Sequence, residues 1–194
     1  MTDALVWYAA FGSNLLEARF LAYLRGGAVP RSGKPQHGAR DGSDPLDNRP
    51  YRIGRALGFG YTADRWEGQG VAFVDPAPVD PPPTLGRAWL ITVEQLSDVW
   101  AQENSRTVGP DLDLDRLVSE GSADLGDGWY RRLDYLGQLD GSPVATITCD
   151  VAPPLNPAGP AYLSVLRDGL MEVWDLSAKE AADYLAERNI GIGS

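Results

Sequence analysis

The chain has 194 residues, 43% of them hydrophobic, and a formal net charge of −10. This length and apolar content suffice for a substantial core, so one domain over 1–194 is expected. The acidic balance argues against a nucleic-acid-binding surface, which needs clustered Lys and Arg. The one cysteine, Cys149, excludes an intrachain disulfide, and the one histidine, His37, gives no basis for a Ser-His-Asp triad or a zinc site. There is no cationic leader before an apolar segment, and no apolar run approaches the roughly 20 residues that span a bilayer. A soluble, cytoplasmic protein without a membrane partner is expected.

Leu5 to Phe11 is apolar and aromatic enough for one buried strand. It stops at Gly12, after which Ser13 or Asn14 can cap a helix, with Glu17 at capping-box spacing from Asn14. Leu16, Phe20 and Leu24 give that helix one buried face. A Gly-Ser-Asn turn at a helix start points free backbone N–H groups outward, which suits a carboxylate or a developing oxyanion. The stretch 26–50 is rich in Gly, Pro, Arg and Asp and reads as a long surface loop, a candidate flap over a site.

Arg55 to Tyr61 predicts a strand, and Trp66 to Gly70 a turn into the strand Val71 to Val74. The proline-dense stretch Asp75 to Pro83 is expected to break any regular ladder. Gly86 to Ile91 is the next strand. Thr92 then opens a helix with Gln95 at capping-box spacing, ending near Asn104. Thr107 to Leu125 is acidic and irregular, with at most a helical turn. Trp129 to Leu136 and Val144 to Cys149 form a hairpin about Asp140-Gly141, with Cys149 a packed strand residue. Pro160 leads an amphipathic helix with Leu163, Leu166, Leu170 and Val173 on one face. Ser177 and Glu180 box the last helix, with Tyr184 and Leu185 inward. Strands first and helices last predict an α+β domain, a small mixed β-barrel with helices packed outside.

One residue breaks the pattern of the helix after Thr92. Leu96, Val99 and Trp100 form its apolar stripe, and Glu103 falls on the same stripe, whereas Glu94, Asp98 and Gln102 project elsewhere as solvated or capping positions. Burial raises a carboxyl pKa toward neutrality, the condition a general base needs to take up a proton and later return it. Periodicity alone leaves two readings open: a buried base, or a last-turn side chain that reaches solvent or pairs with Arg106.

Tyr8-Ala9-Ala10-Phe11-Gly12-Ser13-Asn14-Leu15 closely resembles the Tyr-x-x-Tyr-Gly-Ser-Asn-Leu signature of the gamma-glutamylcyclotransferase-like family. Trp66 to Val74 is similar to the family's Trp-x-Gly-x-Gly-Val-Ala turn. Gly86 to Thr92, followed by a helix ending Ala101-Gln102-Glu103, resembles the segment that carries the family's catalytic glutamate, and Glu103 is the matching residue. Pro160 to Leu163, through Gly169-Leu170 to Tyr184-Leu185, resembles its C-terminal helices. Stretches 26–50 and 107–125 have no counterpart, so 26–50 is taken as an insertion. Phe11 stands where the family has Tyr, and Asn104 where Gly commonly follows the glutamate.

The resemblance implies cleavage of a gamma-glutamyl amide by its own α-amine, releasing 5-oxoproline and a free amine or amino acid, with no cofactor and no metal. Glu103 is then the acid–base residue, and Tyr8, Phe11, Gly12, Ser13, Asn14 and Leu15 form the substrate-binding segment. Tyr8 either supports the turn or is simply a packed strand residue. The partner is a small gamma-glutamyl compound whose amine half is open, as is the oligomeric state. The alternative is a member that has lost catalysis and binds a small anionic metabolite or a protein partner.

Overall fold

A computed structural model describes residues 4–29, 35–78, 84–124 and 126–189. Among them the order is β1 (Leu5–Ala10), α1 (Glu17–Arg25), β2 (Asp47–Ile53), β3 (Arg55–Ala63), β4 (Gln69–Pro78), β5 (Thr84–Thr92) and α2 (Val93–Glu103). There follow α3 (Leu114–Glu120), β6 (Ser122–Asp124), β7 (Arg132–Leu139), β8 (Ser142–Thr148), α4 (Pro160–Trp174) and α5 (Ala178–Ala186).

β1 lies inside a six-stranded mixed sheet of order β2-β5-β1-β8-β7-β6. It runs antiparallel to β5, with Tyr8 opposite Trp89, and parallel to β8, with Tyr8 opposite Ala145. Alternate residues of β1 enter two cores, as the two-residue period of a strand requires. Val6, Tyr8 and Ala10 pack with Phe20 and Leu24 of α1 and with Leu96 and Val99 of α2. Trp7 and Ala9 face Leu166 and Leu170 of α4 and Phe59 and Val74 of the β3–β4 ribbon. A strand covered on both faces is apolar throughout, which explains the unbroken run after Leu5.

The fold is α+β, as expected, but the sheet does not close into a barrel. β3 and β4 pair with each other as a separate antiparallel ribbon. Single side chains tie this ribbon to the sheet where a barrel would have a ladder. Thr84 Oγ1 donates to the Arg55 carbonyl at 2.6 Å, and Thr148 Oγ1 donates to the Val74 carbonyl.

Several segments differ from the sequence reading. The stretch 26–50 is not loop throughout: Asp47 to Pro50 belong to β2. Along β2 only Ile53 is fully buried, so this edge strand lacks the alternation that reveals a strand. Residues 30–34 lie outside the described residues. β4 runs on through Pro76 to Pro78, with a register shift between Arg55 and Leu57 of its partner, while 79–83 lie outside the described residues. The region 107–125 contains α3 and β6; α3 buries only Leu117 and is capped by Asp113, whose side chain accepts from Arg116 N. β7 begins at Arg132, which leaves Trp129 and Tyr130 in the preceding turn.

The capping boxes at Thr92–Gln95 and Ser177–Glu180 form as expected. That at Asn14–Glu17 does not: Ser13–Leu15 make one 3-10 turn, and α1 begins at Glu17 with no side-chain cap. The buried face of α4 is Tyr162, Val165, Leu166, Gly169 and Leu170, rotated from the predicted stripe so that Leu163 and Val173 are only half-buried. No helix among the described residues is long and apolar enough to cross a membrane.

Candidate active site

The end of β1 and the start of α1 set the site. Leu15 N donates to the Gly12 carbonyl at 3.0 Å and Leu16 N to the Ser13 carbonyl at 3.3 Å. The N–H groups of Ser13 and Asn14 precede these donors and are not used within the turn, and that of Ser13 faces the Tyr162 hydroxyl. The carbonyl side of the turn is tied to the scaffold. Trp89 Nε1 donates to the Asn14 carbonyl and Arg87 Nη1 to the Leu15 carbonyl, both at 3.0 Å. The Arg87 guanidinium lies 3.8 Å from the Trp89 ring centroid and is paired with Glu172 and Glu17.

Two glycines permit the close packing here. A Cβ on Gly12 would sit 3.1 Å from the Tyr162 hydroxyl, and one on Gly169 would sit 2.6 Å from Leu15 C and Leu16 N. Helix α4 therefore presses directly on the backbone of the turn.

Glu103 is the last residue of α2 and is half-buried. Its Oε1 accepts from Asn14 Nδ2 at 2.9 Å, and the same amide nitrogen reaches the Tyr8 hydroxyl at 3.4 Å. Asn14 lies inside the 3-10 turn, and the Glu17 N–H that a cap would bind donates instead to Glu172 at 3.0 Å. Asn14 Oδ1 is buried with no hydrogen-bond partner among the described residues. Burial raises the Glu103 pKa above the ordinary carboxyl value, and hydrogen bonds from Asn14 and Tyr23 and the charges of Arg19 and Arg65 only partly offset it. Burial also pushes Tyr8 up, and Tyr162 up to about 12, so both hydroxyls stay protonated near neutral pH.

These groups surround an open pocket of about 40 Å³ lined by Tyr8, Phe11, Gly12, Ser13, Asn14, Glu103, Tyr130 and Tyr162, with Ala72 and Ile147 completing the wall. The structure thus brings Glu103 together with all but one of the residues expected to bind substrate. The exception is Leu15, whose side chain is 1% exposed in the core beside α4 and does not reach the pocket.

Sequence reasoning missed Tyr130 and Tyr162. Both grip the backbone of Ala72: the Tyr130 hydroxyl donates to its carbonyl at 2.8 Å, and its N–H donates to the Tyr162 hydroxyl at 3.2 Å. A tyrosine on the apolar stripe of α4 was the available signal, since a buried hydroxyl requires a partner. Tyr130 carried none, because it lies in a turn. Asn104 positions that turn, donating to the Tyr130 carbonyl at 3.1 Å and accepting from Tyr130 N at 3.2 Å.

Asp98 and Gln102 are not solvated: they are 0% and 8% exposed, because residues 36–46 cover that side of α2. The described part of the insertion is thus strapped to α2 through Gly38, Arg40, Asp41 and Ser43. His37 is exposed, and Cys149 is buried. Among the described residues no group of His, Cys, Asp and Glu is placed to hold a metal ion.

No protein-family profile matches the chain. It is 35% identical over 199 residues to histone deacetylase 5 of Arabidopsis thaliana, covering 93% of this chain but only 30% of that protein's length. Among solved structures it is similar to a gamma-glutamyl cyclotransferase, with a TM-score of 0.53 at 16% identity, covering 98% of this chain and 91% of the other. An uncharacterized protein from Homo sapiens gives 0.53 at 15%, covering 99% and 92%. YkqA from Bacillus subtilis gives 0.54 at 15%, covering 98% of this chain and 57% of that one. The chain is an α+β protein with the gamma-glutamyl cyclotransferase fold.

Proposed function

We propose that the chain is a gamma-glutamyl cyclotransferase-type enzyme that cleaves a gamma-glutamyl amide without a cofactor. The observation that carries this reading is Glu103: a carboxyl of raised pKa, at the edge of a small pocket, bonded to the Asn14 side chain of a turn whose Ser13 and Asn14 N–H groups are not used by the turn itself.

The chemistry follows from these groups. Glu103 takes a proton from the substrate's α-ammonium, and the freed amine attacks the substrate's own side-chain carbonyl. The new C–N bond closes a five-membered ring while the carbonyl oxygen gains charge beside the Ser13 and Asn14 N–H groups. Glu103 returns the proton to the leaving nitrogen, the old C–N bond breaks, the ring nitrogen gives its surplus proton to the departing amine, and 5-oxoproline and an ammonium leave. The buried Asn14 Oδ1 is an acceptor suited to the α-ammonium, and holding the two reacting atoms together supplies much of the rate of a ring closure.

The test is 5-oxoproline release from a panel of gamma-glutamyl amino acids and amines, by wild type and by Glu103→Gln. Loss of a positioned acid–base group is expected to lower turnover by about 10²–10⁴-fold. No release by wild type, or equal release by the variant, would overturn the reading.

A further inference from the structure

A second, larger pocket of about 300 Å³ adjoins the first and shares Ser13, Glu103, Tyr130 and Tyr162 with it. If cyclotransfer is the reaction, Glu103 delivers its proton at this seam. The glutamyl half then fills the inner pocket, and the rest of the leaving group extends into the outer one. The walls of the outer pocket are chemically specific.

Arg65 lines the outer pocket half-buried, and its guanidinium makes no hydrogen bond or ion pair among the described residues. Most other arginines of this chain of net charge −10 are paired: Arg40 with Asp98, Arg87 with Glu172, Arg132 with Asp134. An unpaired planar guanidinium is a ready two-pronged donor to a carboxylate.

Trp129, also on this wall, is 44% exposed. Its ring stacks on Tyr61 at 4.5 Å between centroids and 8° between planes, and the Tyr61 hydroxyl donates to the Trp129 carbonyl at 2.9 Å. Tyr61 holds this position at φ +65°, a region costly for an aromatic residue. On the other side Asn104 fixes the backbone of Tyr130. An indole held flat on one face and open on the other is a stacking surface for a second ring.

We propose that the outer pocket receives the departing amine and selects one that carries both a carboxylate, for Arg65, and an aromatic ring, for Trp129. This rests on the cyclotransfer reading and names the class of its leaving group, an aromatic amino acid.

The experiment compares kcat/KM for three compounds: gamma-glutamyl-phenylalanine, gamma-glutamyl-phenethylamine, which lacks only the carboxylate, and gamma-glutamyl-alanine, which lacks only the ring. Wild type is expected to prefer the first over the second by about tenfold or more, the scale of a charge-assisted pair. A smaller preference of roughly fivefold over the third reflects ring stacking. Arg65→Ala brings the first ratio toward one, Arg65→Lys restores part of it, and Trp129→Ala collapses the second ratio. Each ratio is taken on one preparation, so a partly unfolded variant does not distort it. Turnover of all three with ratios near one, or ratios that survive the substitutions, overturns this inference alone. Turnover of none overturns the cyclotransfer reading and this inference with it.

Discussion

Helix α2 carries a buried and a half-buried carboxylate on different sides, and the sheet-side pocket and the strap-covered flank treat them differently. Asp98 is 0% exposed and meets a full set of donors: the Arg40 backbone N–H at 2.7 Å and the Arg40 guanidinium at 3.0 Å. Glu103, one and a half turns later, receives a neutral amide from Asn14 and a phenol from Tyr23, while Arg19 and Arg65 act on it through their fields. Asp98 is fully buried and Glu103 half-buried. The difference is the directly bonded counter-ion: Asp98 has one and is a fastening, whereas Glu103 has none and its pKa is raised. In the proposed reaction that missing salt bridge is what suits Glu103 to proton transfer.

The widest separation between the two sites is expected from removing each charge. Glu103→Gln lowers 5-oxoproline release by about 10²–10⁴-fold. Asp98→Ala is expected to leave turnover near wild type and to cost about 2 kcal/mol of unfolding free energy in urea titration. The cost stays below that of a fully buried pair, because Arg40 is 36% exposed and keeps Asp111 and Glu94. Loss of turnover in Asp98→Ala would erase the contrast.

Gly169→Ala tests the wall behind the Gly12–Leu15 turn. The added Cβ meets backbone atoms of Leu15 and Leu16 that cannot rotate away, so overpacking of about 1–3 kcal/mol is expected together with reduced kcat. Trp89→Phe keeps a ring beside Arg87 and removes the donor to the Asn14 carbonyl. It should cost about 1 kcal/mol and lower kcat more than it raises KM, since the turn then holds the transition state less firmly. Unchanged kinetics would show that the turn does not need this tether.

The smallest effect is the dependence of stability on pH. The folded-state pKa of Glu103 lies above its ordinary value of 4.5, so the native state binds its proton more tightly than the unfolded chain does. Its contribution to stability is therefore complete below that value and is lost as pH rises through the folded pKa. Glu103→Gln cannot ionise, so its Tm should equal or exceed that of wild type at pH 7, with the relative gain shrinking toward pH 4. The acid limb of kcat/KM in wild type should lie above 4.5 for the same reason. A limb at or below that value would mean that Glu103 is an ordinary carboxylate.

Much of this was legible in the chain because it is local. The buried run of β1, the boxes at Thr92 and Ser177, and a glutamate on the apolar stripe of α2 are patterns of neighbouring residues. The failures share a cause as well. Asn14 has the right residue type and spacing for a helix cap, but the N–H it would cap, that of Glu17, bonds Glu172, 155 residues on. Asp98 and Gln102 fall on a face that looks solvated until residues 36–46, a segment without periodicity, are laid over it. The barrel was expected from strand content, but closure depends on backbone pairing between distant segments. Thr84 and Thr148 replace that pairing with side-chain bonds that no local pattern announces.

An open sheet has two margins, and a strand from another molecule could in principle zip onto either. On β2 the central residue is Pro50, which has no N–H to offer, and Asp47, Arg49 and Arg52 surround it with charge. The opposite margin, β6, is only three residues long. Both ends of the sheet are thus poor templates for growth, so a crowded solution of this protein should resist runaway β-stacking without a barrel to hide its edges.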